Sequence, residues 1–441
     1  MKKIFLLAAM GVGMLMAACD NDTPAPKLDD NPQETEVTEQ IPDEIPYTHI
    51  QLSESQKEIK DASNEFAFKL FKSVSESEDN TAFSPYSLFA CLSMVANGDN
   101  GECRDLILNE LGVGEGPEAL AKLNSFNALM ARMMPKADSR AFMLSANSVW
   151  INDGMRPYVN PSFISVVTGD CSAYVEYTDF NDASGTMNLI NKWGADHTNG
   201  LILQILDKPL TGDMALLNAS YFKGWWTQPF NKKATDKLQF RNLDGSVSKV
   251  DMLRDTREVF HAYGNGMRVM ALPYGNGNFR MVFAMPDEGS DFNSFLTLVS
   301  YASVMEALGK GRTYNATIWF PKFNLSSNLD LLETLKNNGL ARLVNDGLDN
   351  IFLNAMKATV CNAIQKSTVS TDEMGTVGAS ITEIELSASL NNGENKTEVF
   401  PFDRPFIFFI EETSTSTVLF IGKAETQGYL HGLRVGIDRH D

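Results

Sequence analysis

The side chains that most often carry out catalysis are present, but they follow no recognisable catalytic pattern. The five histidines are far apart in the chain: His49, His197, His261, His431 and His440. The chain has no H-E-x-x-H, no G-x-S-x-G, no G-x-x-x-x-G-K and no cysteine ligand pair. The two G-N-G sequences, 264–266 and 275–277, do not open a helix and are predicted to be turns. The sequence therefore gives no support to an enzyme and predicts neither a cofactor nor a metal site.

One cysteine lies in a context that favours modification. Two lysines at 2–3 precede an apolar run, 4–16, which leads into Ala17-Ala18-Cys19. This order is typical of a secretory signal, and the run is too short for a membrane span. The last three residues resemble a bacterial lipobox, in which the cysteine thiol is lipidated, although Met16 stands where Leu is usual. We therefore expect a lipid anchor at Cys19; the alternative is plain secretion with an incidental cysteine.

The other four cysteines, Cys91, Cys103, Cys171 and Cys361, lie in apolar or mixed stretches. Disulfides would be allowed in an oxidising compartment, but buried free thiols are the simpler interpretation.

Three parts can be distinguished along the chain. Residues 1–18 are predicted to be a lipoprotein signal peptide, 19–45 an acidic disordered tether, and 46–441 a single domain. The stretch 20–45 has nine acidic residues against one lysine and four prolines, so it cannot form a core. The chain of 441 residues carries a net charge of −19, which argues against nucleic-acid binding. Asp20 and Asp22 resemble outer-surface signals of some Gram-negative bacteria. We therefore expect a location on the cell envelope, at the outer membrane, facing either the periplasm or the outside.

Helical patterns come early and strand patterns come late, which favours an α+β class. The predicted helices are 54–74, one that starts at Ser84-Pro85, and 328–338, ended by Asn338-Gly339. The predicted strands are 216–222, the hairpin 267–284, 316–323, 358–371, 406–410 and 417–422.

Several motifs between about residues 55 and 425 resemble those of serpins, in serpin order. They are N-x-x-x-S-P-x-S at 80–87, A-N-S-V-W at 146–150, N-K-W with T-x-G at 191–200, N-A-S-Y-F-K-G-W-W at 218–226, P-K-F at 321–323, E-M-G-T at 373–376, F-D-R-P-F at 402–406 and F-I-G at 420–422. The resemblance implies an α+β fold with three β-sheets, eight or nine helices, and an exposed reactive loop at about 375–400. It also implies an inhibitor that a protease cuts within this loop, after which the loop becomes a new strand of the central sheet.

The resemblance assigns roles to two groups of residues. The region where the central sheet opens would be lined by Asn80, Ser84, Ser87, Asn218 and Gln365; Gln365 stands where many serpins have histidine, and its amide can still donate and accept. The top of the sheet, where the loop enters, would be formed by Trp226, Lys322 and Glu373. For each of these residues the alternative is plain core packing or an ordinary ion pair.

The loop residues fit an inserted strand. The hinge implied by the resemblance consists of Glu373, Gly375, Thr376, Val377, Gly378, Ala379, Ser380, Ile381 and Thr382. Because side chains alternate along a strand, the set with Thr376, Gly378, Ser380 and Thr382 would face inward, and Val377 would face solvent. No proline occurs in 375–390. Val377 and Gly378 depart from the usual Glu and Ala, and glycine weakens a strand by up to about 1 kcal/mol. We expect the loop to be exposed before cleavage.

The cleavage site is predicted only as a region. Counting from the hinge glycine places it after Ser389, whereas counting back from Pro405 places it near Glu394. The candidate residues are Ala388, Ser389, Leu390, Glu394 and Lys396. The stretch 388–390 would suit elastase-like or subtilisin-like proteases, and Leu390 would also suit chymotrypsin-like or papain-like ones. Lys396 would suit trypsin-like proteases. The expected partners are therefore serine or cysteine endopeptidases and, through the lipid, a membrane; the protein is expected to be a monomer. The alternative is a non-inhibitory serpin that binds ligands or assists folding.

Overall fold

The computed structural model describes residues 48–76, 80–198, 200, 202–210, 212–330, 335–345, 347–358, 364–376 and 398–426. All of them belong to one compact unit, Glu39–Asp441. The predicted signal peptide, Cys19, the tether and the loop residues 377–397 lie outside the described residues. The domain boundaries therefore stay predictions.

Eight helices of seven or more residues occur among the described residues. They are α1 Glu54–Ser75, α2 Pro85–Ala96, α3 Glu102–Glu110, α4 Gly116–Met133, α5 Pro161–Gly169, α6 Ala183–His197, α7 Phe292–Leu298 and α8 Tyr301–Gly309. Shorter helical segments cover Met134–Lys136, Asp153–Tyr158, Lys232–Ala234, Lys336–Leu340 and Arg342–Asn345. Helix α1 begins where Ser53 and Gln56 form a reciprocal capping box. The two predictions for the N-terminal helices are confirmed. None of the described helices is both long and apolar enough to cross a membrane.

Fifteen strands can be followed in the described part of the chain. They are β1 Thr81–Phe83, β2 Ala141–Asn152, β3 Tyr174–Thr178, β4 Met214–Trp225, β5 Asp236–Arg241, β6 Val247–Gly264, β7 Met267–Tyr274, β8 Phe279–Pro286, β9 Arg312–Pro321, β10 Phe323–Asp330, β11 Ile364–Thr371, β12 Gly375–Thr376, β13 Glu398–Pro401, β14 Phe406–Glu412 and β15 Thr417–Ala424.

The predicted three-sheet α+β architecture is confirmed, and two of the sheets share a strand. The first sheet has the order β10-β11-β12-β4-β2-β3. The other strands follow the order β1-β15-β14-β8-β7-β6-β9-β13, with β5 also paired to β6. The long strand β6 pairs with β5 over residues 247–252, with β9 over 252–261 and with β7 over 260–264. It therefore connects the second sheet, β6-β7-β8-β14-β15-β1, to the third, which consists of β5, β6, β9 and β13.

The two faces of the six-stranded sheet have different environments. Helix α6 lies over one face, where Trp193 packs edge-on against Trp150 of β2 at 6.2 Å. The opposite face belongs to the main core, in which Phe222 of β4 contacts Phe279 and Phe420 of the other sheets. A strand between β4 and β11 would therefore have one set of alternate side chains buried.

One prediction about an element was wrong. The helix predicted at 328–338 does not begin at 328, because residues 328–330 continue strand β10. They pair with residues 364–366 of β11. The ladder with a neighbouring strand outweighs the local helical pattern here, since tertiary context commonly overrides propensity.

Candidate functional site

The chain reverses direction at residues 371–376 through a turn held by Asp372. The carboxylate Oδ1 of Asp372 accepts the N–H groups of Met374 and Gly375 at 2.8 and 3.0 Å. The N–H of Asp372 donates to the carbonyl of Gly375 at 2.9 Å. Burial raises the pKa of Asp372, although these bonds to its ionised form oppose the increase. The turn brings Gly375 and Thr376 back alongside β11.

These two residues form a strand inside the six-stranded sheet. Thr376 pairs with Thr371 of β11 on one side and with Gly224 of β4 on the other. Only 2% of Thr376 is exposed, and its hydroxyl contacts the hydroxyl of Tyr274. The expectation that the loop is exposed throughout before cleavage is therefore wrong for Thr376. Gly375 and Thr376, the first part of the hinge, already lie in the sheet.

The close approach of β12 to β4 explains why residue 375 is glycine. A Cβ atom on Gly375 would lie 2.0 Å from the carbonyl oxygen of Gly224 and 2.8 Å from the Cα of Trp225. Both contacts are with main-chain atoms, which cannot rotate away. A larger residue at position 375 would push the hinge out of the sheet.

The loop that follows β4 holds the turn from the other side. The main-chain N–H of Trp226 donates to the carbonyl of Met374 at 2.8 Å, and its indole Nε1 donates to the carbonyl of Asp372 at 3.0 Å. The N–H of Phe230 donates to the carbonyl of Glu373 at 2.7 Å. Trp226, predicted at the top of the sheet, is therefore in direct contact with the hinge turn.

Glu373 and Lys322 form an ion pair at the same place. The Lys322 Nζ lies 2.9 and 3.1 Å from the two carboxylate oxygens, and Thr235 donates to Oε1 at 2.8 Å. Burial alone would raise the pKa of Glu373, but the hydrogen bonds from Lys322 and Thr235 outweigh it and lower the pKa. The structure thus brings together all three residues predicted for the top of the sheet.

Further down the sheet, Ser84, Ser87 and Gln365 form a buried polar group. Ser84 caps helix α2 by accepting the N–H of Ser87 at 3.2 Å, and its hydroxyl donates to the carbonyl of Leu419 at 2.7 Å. The side-chain Nε2 of Gln365 donates to the carbonyl of Ser84 at 2.8 Å. The Oε1 of Gln365 is buried and makes no hydrogen bond with the described residues. Gln365 therefore links β11 to α2 and keeps one acceptor unused.

Ser220 of β4 extends this group to Asn218. Its hydroxyl contacts the hydroxyl of Ser87 and donates to the Oδ1 of Asn218 at 2.6 Å. The Nδ2 of Asn218 donates to the Oδ1 of Asn147 on β2 at 2.8 Å. A continuous polar network therefore runs from β11 through α2 to β4 and β2.

Asn80 lies elsewhere. Its Oδ1 accepts the N–H groups of Glu425 and Thr426 at 2.8 and 3.2 Å, and its Nδ2 donates to the carbonyl of Thr426 at 2.6 Å. It therefore secures the residues that follow β15 and is not among the contacts of the Ser84 and Asn218 network.

The geometry agrees with an independent comparison of sequences. Residues 61–426 match the family model described as Serpin (serine protease inhibitor). The chain belongs to the serpin family. It is 28% identical to Iripin-1 of Ixodes ricinus over 381 residues, which cover 83% of this chain and 94% of that protein. It is 25% identical to human Serpin I2 over 372 residues, covering 81% and 89%.

Solved structures of serpins have the same fold. Tengpin, a thermophilic serpin in its native state, superposes with a TM-score of 0.74 at 22% identity, covering 87% of this chain and 97% of tengpin. Human thyroxine-binding globulin in complex with thyroxine gives a TM-score of 0.74 at 23% identity, covering 85% and 100%.

Some residues of the serpin site were not predicted from the sequence. Ser220 and Asn147 fall within the family-like motifs, and Ser220 is two residues from Asn218 on the same strand face, so alternation could have indicated it. No local signal marks Tyr274 or Thr235, because their contacts with the hinge join residues more than 100 positions apart.

The remaining predicted site residues of this serpin lie outside the described residues. They are Val377, Gly378, Ala379, Ser380, Ile381, Thr382, Ala388, Ser389, Leu390, Glu394, Lys396 and the lipidation candidate Cys19. Within the described ranges, no group of three or more His, Cys, Asp or Glu side chains is placed to hold a metal ion. Cys91 and Cys171 are free thiols there, and burial raises the pKa of each to about 12.

Proposed function

We propose that this serpin is a suicide inhibitor of endopeptidases. A protease would cut the reactive loop, and the part of the loop that follows Thr376 would then enter the sheet between β4 and β11. The observation that carries this proposal is strand β12, because Gly375 and Thr376 already occupy the first positions of the inserted strand. Extending β12 requires no change in its direction or pairing.

The composition of the loop supports insertion on energetic grounds. Each ladder hydrogen bond contributes about 1 kcal/mol net, whereas ordering a residue costs about 1–2 kcal/mol. Burial of the inward-facing set must supply the rest, and that set begins with small or apolar residues. Val377 and Gly378 put neither a charge, a bulky side chain nor a proline on the inward face, so they do not block insertion.

The proposal also includes the partners and the location of the protein. The targets are serine or cysteine endopeptidases that accept a small, medium apolar or basic residue within 388–396. The serpin acts as a monomer, and a lipid on Cys19 holds it on the cell envelope. The acidic, proline-containing stretch 20–45 gives the inhibitor domain distance from the membrane.

The deciding experiment is to mix purified residues 46–441 with a panel of serine and cysteine proteases. We expect at least one protease to form a covalent complex that survives denaturing electrophoresis, and the same protease inactivated beforehand at its catalytic residue to form none. If proteases cut the loop and no covalent complex forms with any of them, the protein is a non-inhibitory serpin.

A further inference from the structure

We infer that Tyr274 is a positioning residue whose hydroxyl holds Thr376 in the sheet of the uncut serpin, so that insertion starts from a docked hinge. The docking itself is a property of the uncut chain. Only its effect on inhibition rests on the proposed function.

The ring of Tyr274 is held rigidly. Tyr274 is the last residue of β7, in the neighbouring sheet, and is completely buried. Its ring stacks on Trp226 with 4.3 Å between the ring centroids and 12° between their planes, and meets the edge of Phe222 at 5.2 Å. Burial raises the pKa of Tyr274 far above its usual value, so the hydroxyl stays protonated and can donate.

The described part of strand β12, Gly375–Thr376, is the point at which the loop enters the sheet. The side-chain contacts of Thr376 therefore bear directly on whether this point stays docked. Within the described part of the chain, the structure gives the Thr376 side chain one hydrogen-bond partner, the Tyr274 hydroxyl. Leaving that buried hydroxyl without a partner would carry a desolvation penalty. The Tyr274–Thr376 pair therefore shifts the equilibrium between a docked and a released hinge.

The docked hinge affects how efficiently the protease is trapped. In the proposed mechanism the protease is caught as the acyl-enzyme, the covalent intermediate that it forms with the loop it has cut. Insertion competes with hydrolysis of the acyl-enzyme, and a hinge that is already docked removes the first step of insertion. A released hinge would have to enter the sheet first, and more inhibitor molecules would be cut and lost as substrate.

The test is a double-mutant cycle on the full chain with Tyr274→Phe and Thr376→Val. Both changes keep the shape of the side chain and remove a hydroxyl. Hydrogen exchange followed by mass spectrometry would report the protection of the amides in 372–376. We expect each single variant to increase exchange there about five-fold, the factor that one net hydrogen bond represents. The double variant should show no further increase, because both changes remove the same contact.

A matched control separates docking from general loss of stability. Tyr301→Phe removes another tyrosine hydroxyl, partly buried, which donates to Glu411 and to the carbonyl of Ser416 away from the hinge. It should leave exchange at 372–376 unchanged. Unchanged exchange in Tyr274→Phe, or additive effects in the double variant, would overturn the inference.

With a sensitive protease, the number of inhibitor molecules used per protease inactivated should rise in both single variants. If the wild-type chain forms no covalent complex, the proposed function fails, and the exchange data still decide whether Tyr274 docks the hinge.

Discussion

The ammonium group of Lys322 lies 2.9 Å from the carboxylate of Glu373, and this ion pair joins the turn between β9 and β10 to the hinge of the reactive loop. The carboxylate is mostly buried, with 11% of the side chain exposed, and Thr235 also donates to it. An ion pair with this degree of burial and an additional donor contributes more than an exposed pair. It therefore fixes the position from which β12 enters the sheet.

We expect Glu373→Gln to destabilise the uncut protein by about 1–2 kcal/mol at neutral pH, because a charge-assisted hydrogen bond is lost. The pKa of Glu373 is lowered in the folded state, so its ionised form stabilises the fold above the usual carboxylate range. That contribution is lost as the pH falls through the lowered pKa. Thermal unfolding from pH 7 down to pH 3 should show the difference between wild type and variant shrinking in the acidic range.

The control for this series is the exposed pair Lys310–Glu306. Glu306→Gln should change the melting temperature little at any pH, because exposed ion pairs are weak. Equal effects of Glu306→Gln and Glu373→Gln on the melting temperature would show that the hinge pair stabilises the protein no more than an exposed ion pair does.

We expect cleavage of the reactive loop to raise thermal stability strongly. Among the described residues, Gly375 and Thr376 of β12 lie between β4 and β11, so a cut loop that extends β12 would add a strand there and bury its inward face. The measurement is the melting temperature before and after limited proteolysis between Ile384 and Lys396. An unchanged melting temperature would favour the non-inhibitory alternative.

We expect Cys19→Ala to release the protein from membranes. The prediction rests on the Ala17-Ala18-Cys19 sequence at the end of the apolar run. Cells that make either form would be labelled with a radioactive fatty acid and fractionated. The wild type should carry the label and sediment with membranes, while the variant should do neither. A wild type without label would refute the lipid anchor.

The sequence was sufficient for the fold and for the three residues that meet at the top of the sheet, because these depend on motifs that are local in the chain. Trp226, Lys322 and Glu373 do meet at the top of the sheet. The docked state of Thr376 could not be predicted, since it depends on the balance between two ladder positions and one contact with Tyr274, 102 residues away. The position of Asn80 also depends on tertiary structure, because its partners are more than 340 residues distant.

The register of β12 predicts which loop residue reaches the polar network. Thr376 lies opposite Gly224 of β4 and Thr371 of β11. Moving six residues along each antiparallel ladder would place Thr382 opposite both Asn218 and Gln365. The unused Oε1 of Gln365 could then accept the hydroxyl of Thr382.

We therefore expect Thr382→Val to lower the stability of the cleaved form by about 1 kcal/mol, the net contribution of one hydrogen bond. The uncut form should be unaffected. Melting temperatures of both forms would be compared with those of Glu383→Gln, which changes the opposite face. A loss in the uncut form, or the same loss in Glu383→Gln, would contradict the register.

Finally, we expect Thr376→Arg to turn the inhibitor into a substrate. In the uncut structure Thr376 is buried between β4 and β11, so arginine would carry an unpaired charge into the sheet at a cost of several kcal/mol, unless its long side chain reaches solvent. The hinge should therefore be released, cutting should persist, and trapping should fail, because the first position of the inserted strand cannot be filled. The measurement is the number of inhibitor molecules used per protease inactivated.

Val377→Arg is the matched control, since alternation puts residue 377 on the solvent side of the inserted strand. Equal effects at both positions would contradict the alternation, and undiminished trapping by Thr376→Arg would contradict loop insertion itself.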